Sequence, residues 1–463
     1  MVQLFLATAV LASGQTFTTL FNFDHVHGAA PLNMSLVQGM DGNLFGTTAG
    51  GGSHNCDQGC GTIFEITPAG LITTLHYFTG ADGSAPNAGL LLAPDGSFYG
   101  TTEQGGVNGY GTVFKFTIGG GLTTLHNFNS TDGAMPTAAL VFGPDGNLYG
   151  TTFQGGASSA CGGGCGTVFQ ITPEGTLTSL YSMNFDEGYY PTGALVLGPD
   201  GLFYGTTEWG GANAYGIVFS ITTSGAFTSL YSFAWAEDHN PTAPMIATDG
   251  YFYGTNAGGD FPTGTRGNVF KISPAGELTA VYEFTGGNDG GAPNGGLIRA
   301  TDGNFYGTSA LFPEGVGSCG RDGCGNIFKV TPDGTLTSLH TFTSIDGGQP
   351  RGGLVQGTDG DFYGTTSHGG TQGLGTVFKI STGLGPFVKI LPAAGAVGSR
   401  VAILGTNLAG ATRVTFNGEA APFTVVSLSR ITAIVPAGAT TGVVRVITPN
   451  EILSSDSRFR VQP

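Results

Sequence analysis

Residues 91–117 read LLAPDGSFYGTTEQGGVNGYGTVFKFT, and the pattern in this stretch decides the fold. An Asp-Gly pair is followed by a short aromatic run and Gly-Thr, then by a glycine-rich gap, and finally by Gly-x-(Val/Ile)-Phe. The pattern occurs seven times, and its Asp-Gly pairs begin at Asp41, Asp95, Asp145, Asp200, Asp249, Asp302 and Asp359. Successive pairs are 49 to 57 residues apart, a regularity that is typical of tandem structural repeats.

The composition indicates a turn-rich, all-β protein. The 463 residues include 84 glycines, 33 phenylalanines and 15 tyrosines, and 40% of the chain is hydrophobic. The glycines lack the every-third-residue period of collagen, and the aromatic content is too high for a disordered glycine-rich chain.

Charge is distributed unevenly along the chain. Residues 1–385 contain 28 acidic and 8 basic side chains, a net charge of −20, whereas residues 386–463 contain 3 acidic and 7 basic ones, a net charge of +4. The sum is the −16 of the whole chain. Because an acidic surface repels phosphate backbones, we do not expect nucleic acid as a partner.

The N-terminus is apolar. Residues 2–13, VQLFLATAVLAS, are too few to span a bilayer. They resemble the apolar core and small-residue exit of a secretory signal, although the positively charged start is missing. We therefore predict a signal peptide in residues 1–14 and a protein that is secreted or held in the cell envelope. No other stretch approaches a membrane span.

Each repeat predicts four short strands. In the second repeat these are Asn87–Pro94, Ser97–Thr102, Gly111–Thr117 and Leu122–Phe128. The Asp95-Gly96 pair between two apolar runs is a strong hairpin signal, because glycine supplies the positive φ that such turns require. Four antiparallel strands per unit of this length, with aromatic and glycine markers, are typical of β-propeller blades.

The two ends of the repeat region complement each other. The fourth-strand motif occurs before the first complete unit as Thr16–Phe23, and the seventh unit, with strands at Arg351–Thr358, Asp361–Thr366 and Gly375–Ser381, has no fourth strand of its own. The sequence therefore predicts a seven-bladed propeller over residues 15–383 that the N-terminal strand closes. Closure removes the sheet edges that a linear solenoid would leave unpaired.

The chain changes character after a short Gly/Pro linker at 382–386. Residues 386–463 contain less glycine and several valine-rich runs, such as RVAILGTNL and VVRVITP. This pattern predicts a small immunoglobulin-like β-sandwich.

Two family resemblances follow from these motifs. GLLLAPDGSFYGTT, GTVFKFT and their six counterparts over residues 16–381 resemble the GloVer-type tandem repeat of bacterial exported proteins. GTNLAGATRVTFNG and ITAIVPAGATTG resemble an IPT/TIG domain. The resemblances imply an extracellular or envelope location and a binding or structural role. Many GloVer-type proteins end in a surface-anchoring segment, a feature that the sequence here does not repeat, so release from the cell is also an expectation.

The six cysteines form three local pairs between second and third strands: Cys56 and Cys60, Cys161 and Cys165, and Cys319 and Cys324. A zinc site needs four ligands together, and these pairs lie in the first, third and sixth repeats, which are not neighbours. We therefore predict three disulfides, each of which adds about 2 kcal/mol of stability by constraining the unfolded chain.

The repeated polar residues are better explained by structure than by chemistry. The Asp-Gly pairs invite a calcium or catalytic interpretation, but the turn itself requires Asp-Gly in every repeat. We expect no cofactor; calcium is conceivable at these carboxylates but has no further support. Three histidines align with aromatic residues of other repeats, which indicates packing positions: His76, His126 and His340. A second acidic set precedes prolines and predicts Asx turns: Asp24, Asp82, Asp132, Asp186, Asp238, Asp289 and Asp346.

Functional candidates are the residues that depart from the repeat. They cluster in the third to fifth repeats, in connections that we expect at one end of the propeller, together with one glutamate of the second repeat. Aromatic faces beside carboxylates suit sugar rings or a protein partner; the alternative is that these aromatics fill gaps between blades. The candidates are Glu103, Asp186, Tyr189, Tyr190, Glu208, Trp209, Trp235, Asp238 and Arg266.

Three functions are compatible with these residues. The first is a non-catalytic exported protein, expected to be a monomer, that binds an extracellular glycan or protein. The second is a propeller-type glycan hydrolase or lyase with Glu103, Glu208 or Asp186 as acid and base, which requires carboxylates about 5 to 10 Å apart. The third is a structural spacer. No catalytic sequence motif favours the second.

Overall fold

A computed structural model describes residues 15–52, 55–234, 241, 245–246, 249–258, 266–311, 319 and 323–462. These residues form β-strands joined by turns, with a single-turn 3-10 helix at Leu408–Gly410. No helix among them is long and apolar enough to cross a membrane.

Seven four-stranded antiparallel sheets account for the repeat region. The first sheet contains β2 (Val37–Gln38), β3 (Leu44–Thr48), β4 (Thr62–Ile66) and β5 (Ile72–Tyr77). The second contains β6 (Leu91–Leu92), β7 (Phe98–Thr102), β8 (Thr112–Thr117) and β9 (Gly121–Asn127). The third contains β10 (Val141–Phe142), β11 (Leu148–Thr152), β12 (Thr167–Ile171) and β13 (Leu177–Ser182). In each sheet the strands are neighbours in chain order.

The next three sheets repeat this order. The fourth contains β14 (Val196–Leu197), β15 (Phe203–Thr207), β16 (Ile217–Ile221) and β17 (Phe227–Ser232). The fifth contains β18 (Met245–Ile246), β19 (Phe252–Asn256), β20 (Asn268–Ile272) and β21 (Leu278–Glu283). The sixth contains β22 (Ile298–Arg299), β23 (Phe305–Ser309), β24 (Asn326–Val330) and β25 (Leu336–Thr341).

The N-terminal strand completes the seventh sheet. Its order is β1-β28-β27-β26, with β1 at Thr16–Asn22, β26 at Val355–Gln356, β27 at Phe362–Thr366 and β28 at Thr376–Ser381. β1 runs antiparallel to β28 and pairs Thr16 with Ser381. Residues more than 350 positions apart in the chain are therefore joined in one sheet.

The C-terminal residues form two further sheets. One has the order β29 (Lys389–Leu391), β31 (Arg400–Leu404), β35 (Arg430–Ile434) and β34 (Phe423–Val425). The other has the order β30 (Ala394–Ala396), β37 (Ile452–Gln462), β36 (Gly442–Ile447), β32 (Arg413–Phe416) and β33 (Glu419–Ala421). Both contribute to one core, in which Val401 and Ile431 come from the first sheet and Phe416 and Phe459 from the second.

The Asp-Gly turns are held by their own carboxylates. In all seven, Asp Oδ1 accepts the backbone N–H two residues later, at 2.9 Å from Ser97 to Asp95 and at 3.0 Å from Asn43 to Asp41. In five turns Oδ2 also accepts a tyrosine hydroxyl, as from Tyr149 to Asp145 at 2.8 Å. Burial and this hydrogen bond raise the pKa of Tyr149 to about 12. These carboxylates are used by the scaffold.

The glycine of each Tyr/Phe-Gly-Thr segment lies opposite the phenylalanine of the third strand. Gly100 pairs with Phe114, and a Cβ on Gly100 would lie 2.5 Å from Phe114 Cζ. A Cβ would come similarly close to a neighbouring side chain at the other six glycines: Gly46, Gly150, Gly205, Gly254, Gly307 and Gly364. The phenylalanine ring therefore fills the space that a side chain would take in the facing strand.

Neighbouring sheets are joined by threonine hydroxyls near the end of each second strand. Thr47 Oγ1 donates to the Ala88 carbonyl of the second sheet at 3.1 Å, and Thr308 Oγ1 to the Gly352 carbonyl of the seventh at 3.0 Å. From the seventh sheet, Thr365 Oγ1 contacts Met34 Sδ, just before the first sheet, at 3.5 Å. The first and seventh sheets are therefore direct neighbours.

The first strands are shorter than the sequence predicts. Asn87–Pro94 contains only the two-residue strand β6, and Arg351–Thr358 only β26. The preceding residues contact the next sheet instead of extending their own: Ala88 accepts the hydrogen bond from Thr47, and Gly352 packs against Met34. The prediction of full-length first strands is wrong because these sheet-to-sheet contacts have no local sequence pattern.

The three predicted disulfides are confirmed. Cys56 is bonded to Cys60, Cys161 to Cys165 and Cys319 to Cys324, and the described residues contain no free cysteine.

The C-terminal sheets dock at the end of the repeat region that carries the Asp-Gly turns, which we call the turn end. Ser429 Oγ donates to the Met40 carbonyl at 3.0 Å, and Lys389 Nζ donates to the Gln356 carbonyl at 2.6 Å. Leu404 joins the core of the first and second sheets. Lys389 is half-buried, and desolvation at this contact lowers the pKa of its ammonium group.

Gly100→Ala is expected to lower the free energy of unfolding by about 2 kcal/mol, because its methyl group would overlap the Phe114 ring. Gly385→Ala is the matched control, since a Cβ there meets nothing within 4 Å. Chemical denaturation of both variants checks the prediction, and equal stabilities would contradict it.

Candidate functional site

The opposite end of the sheets, which we call the loop end, carries the loops between second and third strands and the connections from each fourth strand to the next sheet. Each connection forms an isolated bridge with the end of the second strand. The seven bridges are Ala29–Gly50, Ser84–Gln104, Ala134–Gln154, Tyr189–Trp209, Pro241–Asn256, Gly291–Leu311 and Gly348–His368. This arrangement brings residues far apart in each repeat to one surface.

The histidines on the fourth strands do more than pack. His340 Nε2 lies 3.0 Å from Asp346 Oδ2, and the same pairing joins His76 to Asp82 and His126 to Asp132. Burial opposes ionisation of Asp346, but hydrogen bonds from His340 and Thr343 outweigh it and hold its pKa below the ordinary value. These pairs fix the connections at the loop end.

An aromatic cluster lies at the loop end beside the fourth sheet and consists of Phe153, Phe185, Tyr189 and Tyr190. Tyr190 stacks on Phe153 with ring centroids 4.4 Å apart, and Tyr189 stacks on Phe185 at 5.1 Å. The two tyrosine rings meet edge to face at 4.8 Å. Phe185 remains 48% exposed, so the cluster presents an aromatic face to solvent.

Glu208 and Trp209 adjoin the aromatic cluster through the backbone. The Trp209 carbonyl accepts the N–H of Tyr189 at 2.8 Å, and the Glu208 N–H donates to the Tyr190 carbonyl at 3.0 Å. Burial raises the pKa of Glu208 and outweighs the hydrogen bond from Trp209. Burial likewise raises the pKa of Tyr189, with smaller contributions from Tyr190 and Glu208.

Glu103 and Asp186, the other predicted acidic residues within the described part of the chain, form local hydrogen bonds. Asn87 Nδ2 donates to Glu103 Oε2, in the second sheet. Asp186 is exposed, and its backbone N–H donates to Asn184 Oδ1 at 3.0 Å. The hydrogen bonds of the described residues therefore bring Tyr189, Tyr190, Glu208 and Trp209 together but connect neither Glu103 nor Asp186 to them.

Two predicted residues, Trp235 and Asp238, lie outside the described residues. Arg266 lies just before β20 of the fifth sheet; its carbonyl accepts the Ala292 N–H at 2.9 Å and its side chain packs against Gly286. The described residues contain no group of three or more His, Cys, Asp or Glu that could hold a metal ion.

Sequence reasoning did not include Phe153 and Phe185 among the candidate residues. Phe153 directly follows β11 of the third sheet and meets Tyr190 only because of the way neighbouring sheets are arranged. Its signal was nevertheless visible, because it takes the position that Glu103 and Glu208 occupy in their own repeats.

Family models match most of the chain. The Gloeobacter/Verrucomicrobia repeat matches residues 53–265 and 236–418, and the IPT/TIG domain matches residues 387–461. The chain belongs to the Gloeobacter/Verrucomicrobia repeat family. Both resemblances drawn from the sequence are thereby confirmed, and no curated protein matches the chain.

Several solved structures are similar to this Gloeobacter/Verrucomicrobia repeat protein, and the first of those described next supports its all-β, propeller-like fold. The extracellular domain of a protein assigned as a hybrid two-component system of B. thetaiotaomicron is 10% identical, with a TM-score of 0.51; the match covers 97% of this chain and 58% of that one. A protein assigned as a 6-phosphogluconolactonase of Bacteroides fragilis is 18% identical, with a TM-score of 0.45 and coverage of 74% and 99%. A gluconolactonase of Xanthomonas campestris is 10% identical, with a TM-score of 0.40 and coverage of 80% and 90%. At these identities the similarity concerns the fold alone.

Asp346→Asn is expected to lower the free energy of unfolding at pH 7 by about 1 kcal/mol, because it weakens a charge-assisted hydrogen bond. The lowered pKa of Asp346 stabilises the fold above about pH 4, where the unfolded side chain is ionised, and this stabilisation is lost as pH falls through the folded-state pKa. Denaturation at pH 7 and pH 3 should therefore show a difference that shrinks in acid. Asp57→Asn, at an exposed aspartate, should change little at either pH.

Glu208→Gln is expected to raise the free energy of unfolding at pH 7, because it removes a carboxylate whose ionisation burial opposes. The gain should vanish below about pH 4, where Glu208 is protonated in both folded and unfolded chains. Glu174→Gln, at an exposed glutamate, should show no such pH-dependent gain. A loss of stability at pH 7 would show that the carboxylate has a structural role.

Proposed function

We propose that the seven sheets close into a seven-bladed β-propeller and that the C-terminal sheets form an immunoglobulin-like sandwich. The pairing of β1 with β28 and the contact of Thr365 with Met34 support closure between the seventh and first sheets. The shared core of the two C-terminal sheets supports the sandwich.

We propose that the protein is exported, either to the medium or to the cell envelope, and that it acts as a monomer. The three disulfides support this location, because such bonds persist in oxidising compartments.

The proposed activity is the non-catalytic binding of an extracellular glycan at the loop end. The observation that carries it is the aromatic cluster with Glu208 and Trp209 beside it. An exposed aromatic face stacks on sugar rings, and a neighbouring carboxylate accepts hydrogen bonds from their hydroxyls. A protein ligand is the alternative for the same surface, because aromatic residues also dominate protein interfaces.

One observation favours a glycan hydrolase or lyase as the second candidate. The raised pKa of Glu208 would suit a general acid. However, the described contacts do not identify a second carboxylate that would act with Glu208, since Glu103 is bound by Asn87 in the second sheet and Asp186 is exposed. We therefore propose binding without cleavage and keep hydrolysis or lyase chemistry as the second candidate.

Trp209→Ala and Tyr190→Ala are expected to weaken glycan binding at least tenfold in a glycan-array screen, because each removes an aromatic surface. Tyr251→Ala is the matched control, since Tyr251 is 38% exposed at the turn end. Unchanged binding in both site variants would refute this surface. Cleavage of the bound glycan by the wild-type protein but not by the Glu208→Gln variant would favour the hydrolase or lyase function.

A further inference from the structure

A second surface lies at the loop end, between the second and third sheets. It is a cleft of about 740 Å³, a size typical of small-molecule and oligosaccharide sites. One wall is the loop from Gln104 to Tyr110, the other is the loop from Gln154 to Gly164, and Met135 contributes from the connection between the sheets.

The described residues that line the cleft include no carboxylate, ammonium, guanidinium or imidazole group. Their polar side chains are amides and hydroxyls, from Gln104, Tyr110, Ser130, Gln154, Ser158 and Ser159, and the one cysteine among them is disulfide-bonded. This neutrality contrasts with the net charge of −16 on the whole chain. A charged ligand would lose hydration on entering the cleft and gain no opposite charge from the cleft residues. A neutral polyhydroxylated ligand has no charge to desolvate, so it avoids this cost.

The two glutamines occupy the same position in neighbouring repeats. Gln104 bridges Ser84 and Gln154 bridges Ala134 through the backbone, so both amides are presented at the same level of adjacent sheets. Each amide can donate and accept hydrogen bonds, which matches sugar hydroxyls that do both. The remaining repeats place Gly50, Trp209, Gly258, Leu311 or His368 here, so the paired amides are specific to this cleft.

The walls of the cleft are fixed before any ligand binds. The Cys161–Cys165 disulfide staples one loop, and the Tyr190 hydroxyl donates to the Gly162 carbonyl of that loop at 3.2 Å. On the floor, the Met135 N–H donates to the Tyr110 carbonyl at 3.0 Å, and the Phe153 N–H to the Met135 carbonyl at 3.0 Å. A fixed site loses little conformational entropy on binding.

Tyr110 supplies the apolar contact that sugar recognition needs. Tyr110 is 44% exposed and lines the cleft. An exposed tyrosine can stack on the apolar face of a pyranose while the amides bind its hydroxyls.

We propose that the cleft between the second and third sheets binds a neutral oligosaccharide, held by Gln104 and Gln154 and stacked on Tyr110. This inference rests on the proposed function and deepens it by naming the ligand class. The Tyr190 hydroxyl bonds the Gly162 carbonyl of one cleft wall, so the aromatic cluster adjoins the cleft.

The test is isothermal titration calorimetry of the full chain with gluco-, xylo- and manno-oligosaccharides and with acidic oligogalacturonate. The wild type should bind a neutral oligosaccharide and prefer it to the acidic one. The Gln104→Ala/Gln154→Ala double variant should weaken binding at least tenfold, and Ser159→Trp, which fills the cleft, should abolish it. Ser224→Trp is the matched control, because Ser224 is an exposed serine in the turn between β16 and β17.

The outcomes separate this inference from the proposed function. Cleft variants that bind within twofold of the wild type, a preference for oligogalacturonate, or no binding of any neutral oligosaccharide would overturn the cleft assignment. If Trp209→Ala alone abolishes binding, the aromatic surface is supported as the binding site and the cleft is refuted. If Ser159→Trp abolishes binding while Trp209→Ala and Tyr190→Ala do not, the cleft is supported and the aromatic surface is refuted. Thermal melting confirms that every variant is folded.

Discussion

The close approach of a glycine to a phenylalanine across two strands underlies the whole repeat region. Because Gly100 has no side chain, the Phe114 ring lies over it, and six further pairs repeat this contact. The neighbouring aromatic residues then pack between sheets, as Tyr149 does on Phe203 at 4.2 Å. The Tyr/Phe-Gly-Thr pattern is therefore a packing requirement, and its residues are unavailable for function.

Local patterns predicted the strands that pair within a sheet, and distant contacts limited what else could be predicted. The N-terminal strand β1 and the three disulfides followed from motif counts and spacing. The short first strands did not, because their residues contact the next sheet. The His–Asp pairs were missed although a six-residue spacing, seen from His76 to Asp82 and from His340 to Asp346, recurs in three repeats.

The sequence predicted only the part of the candidate site that a single backbone bridge, between Tyr189 and Trp209, brings together. Tyr189 and Trp209 belong to one repeat unit and meet through the backbone, so the departures of that unit identified both. Phe153 comes from the preceding sheet, and sequence alone does not show which rings meet between sheets. The neutral cleft has no motif, because amides and hydroxyls in glycine-rich loops resemble ordinary loop composition.

The C-terminal sheets add a constraint at one end of the repeat region. They dock at the turn ends of the first and seventh sheets, where the Ser429 hydroxyl donates to the Met40 carbonyl and the Lys389 ammonium donates to the Gln356 carbonyl. A change of loop length there would disturb both the hairpins and this interface. The described residues show no such interface at the loop end. Loops there can therefore be longer, as is the loop that the Cys161–Cys165 disulfide closes. Binding surfaces are therefore expected where the scaffold leaves the chain free to differ between repeats.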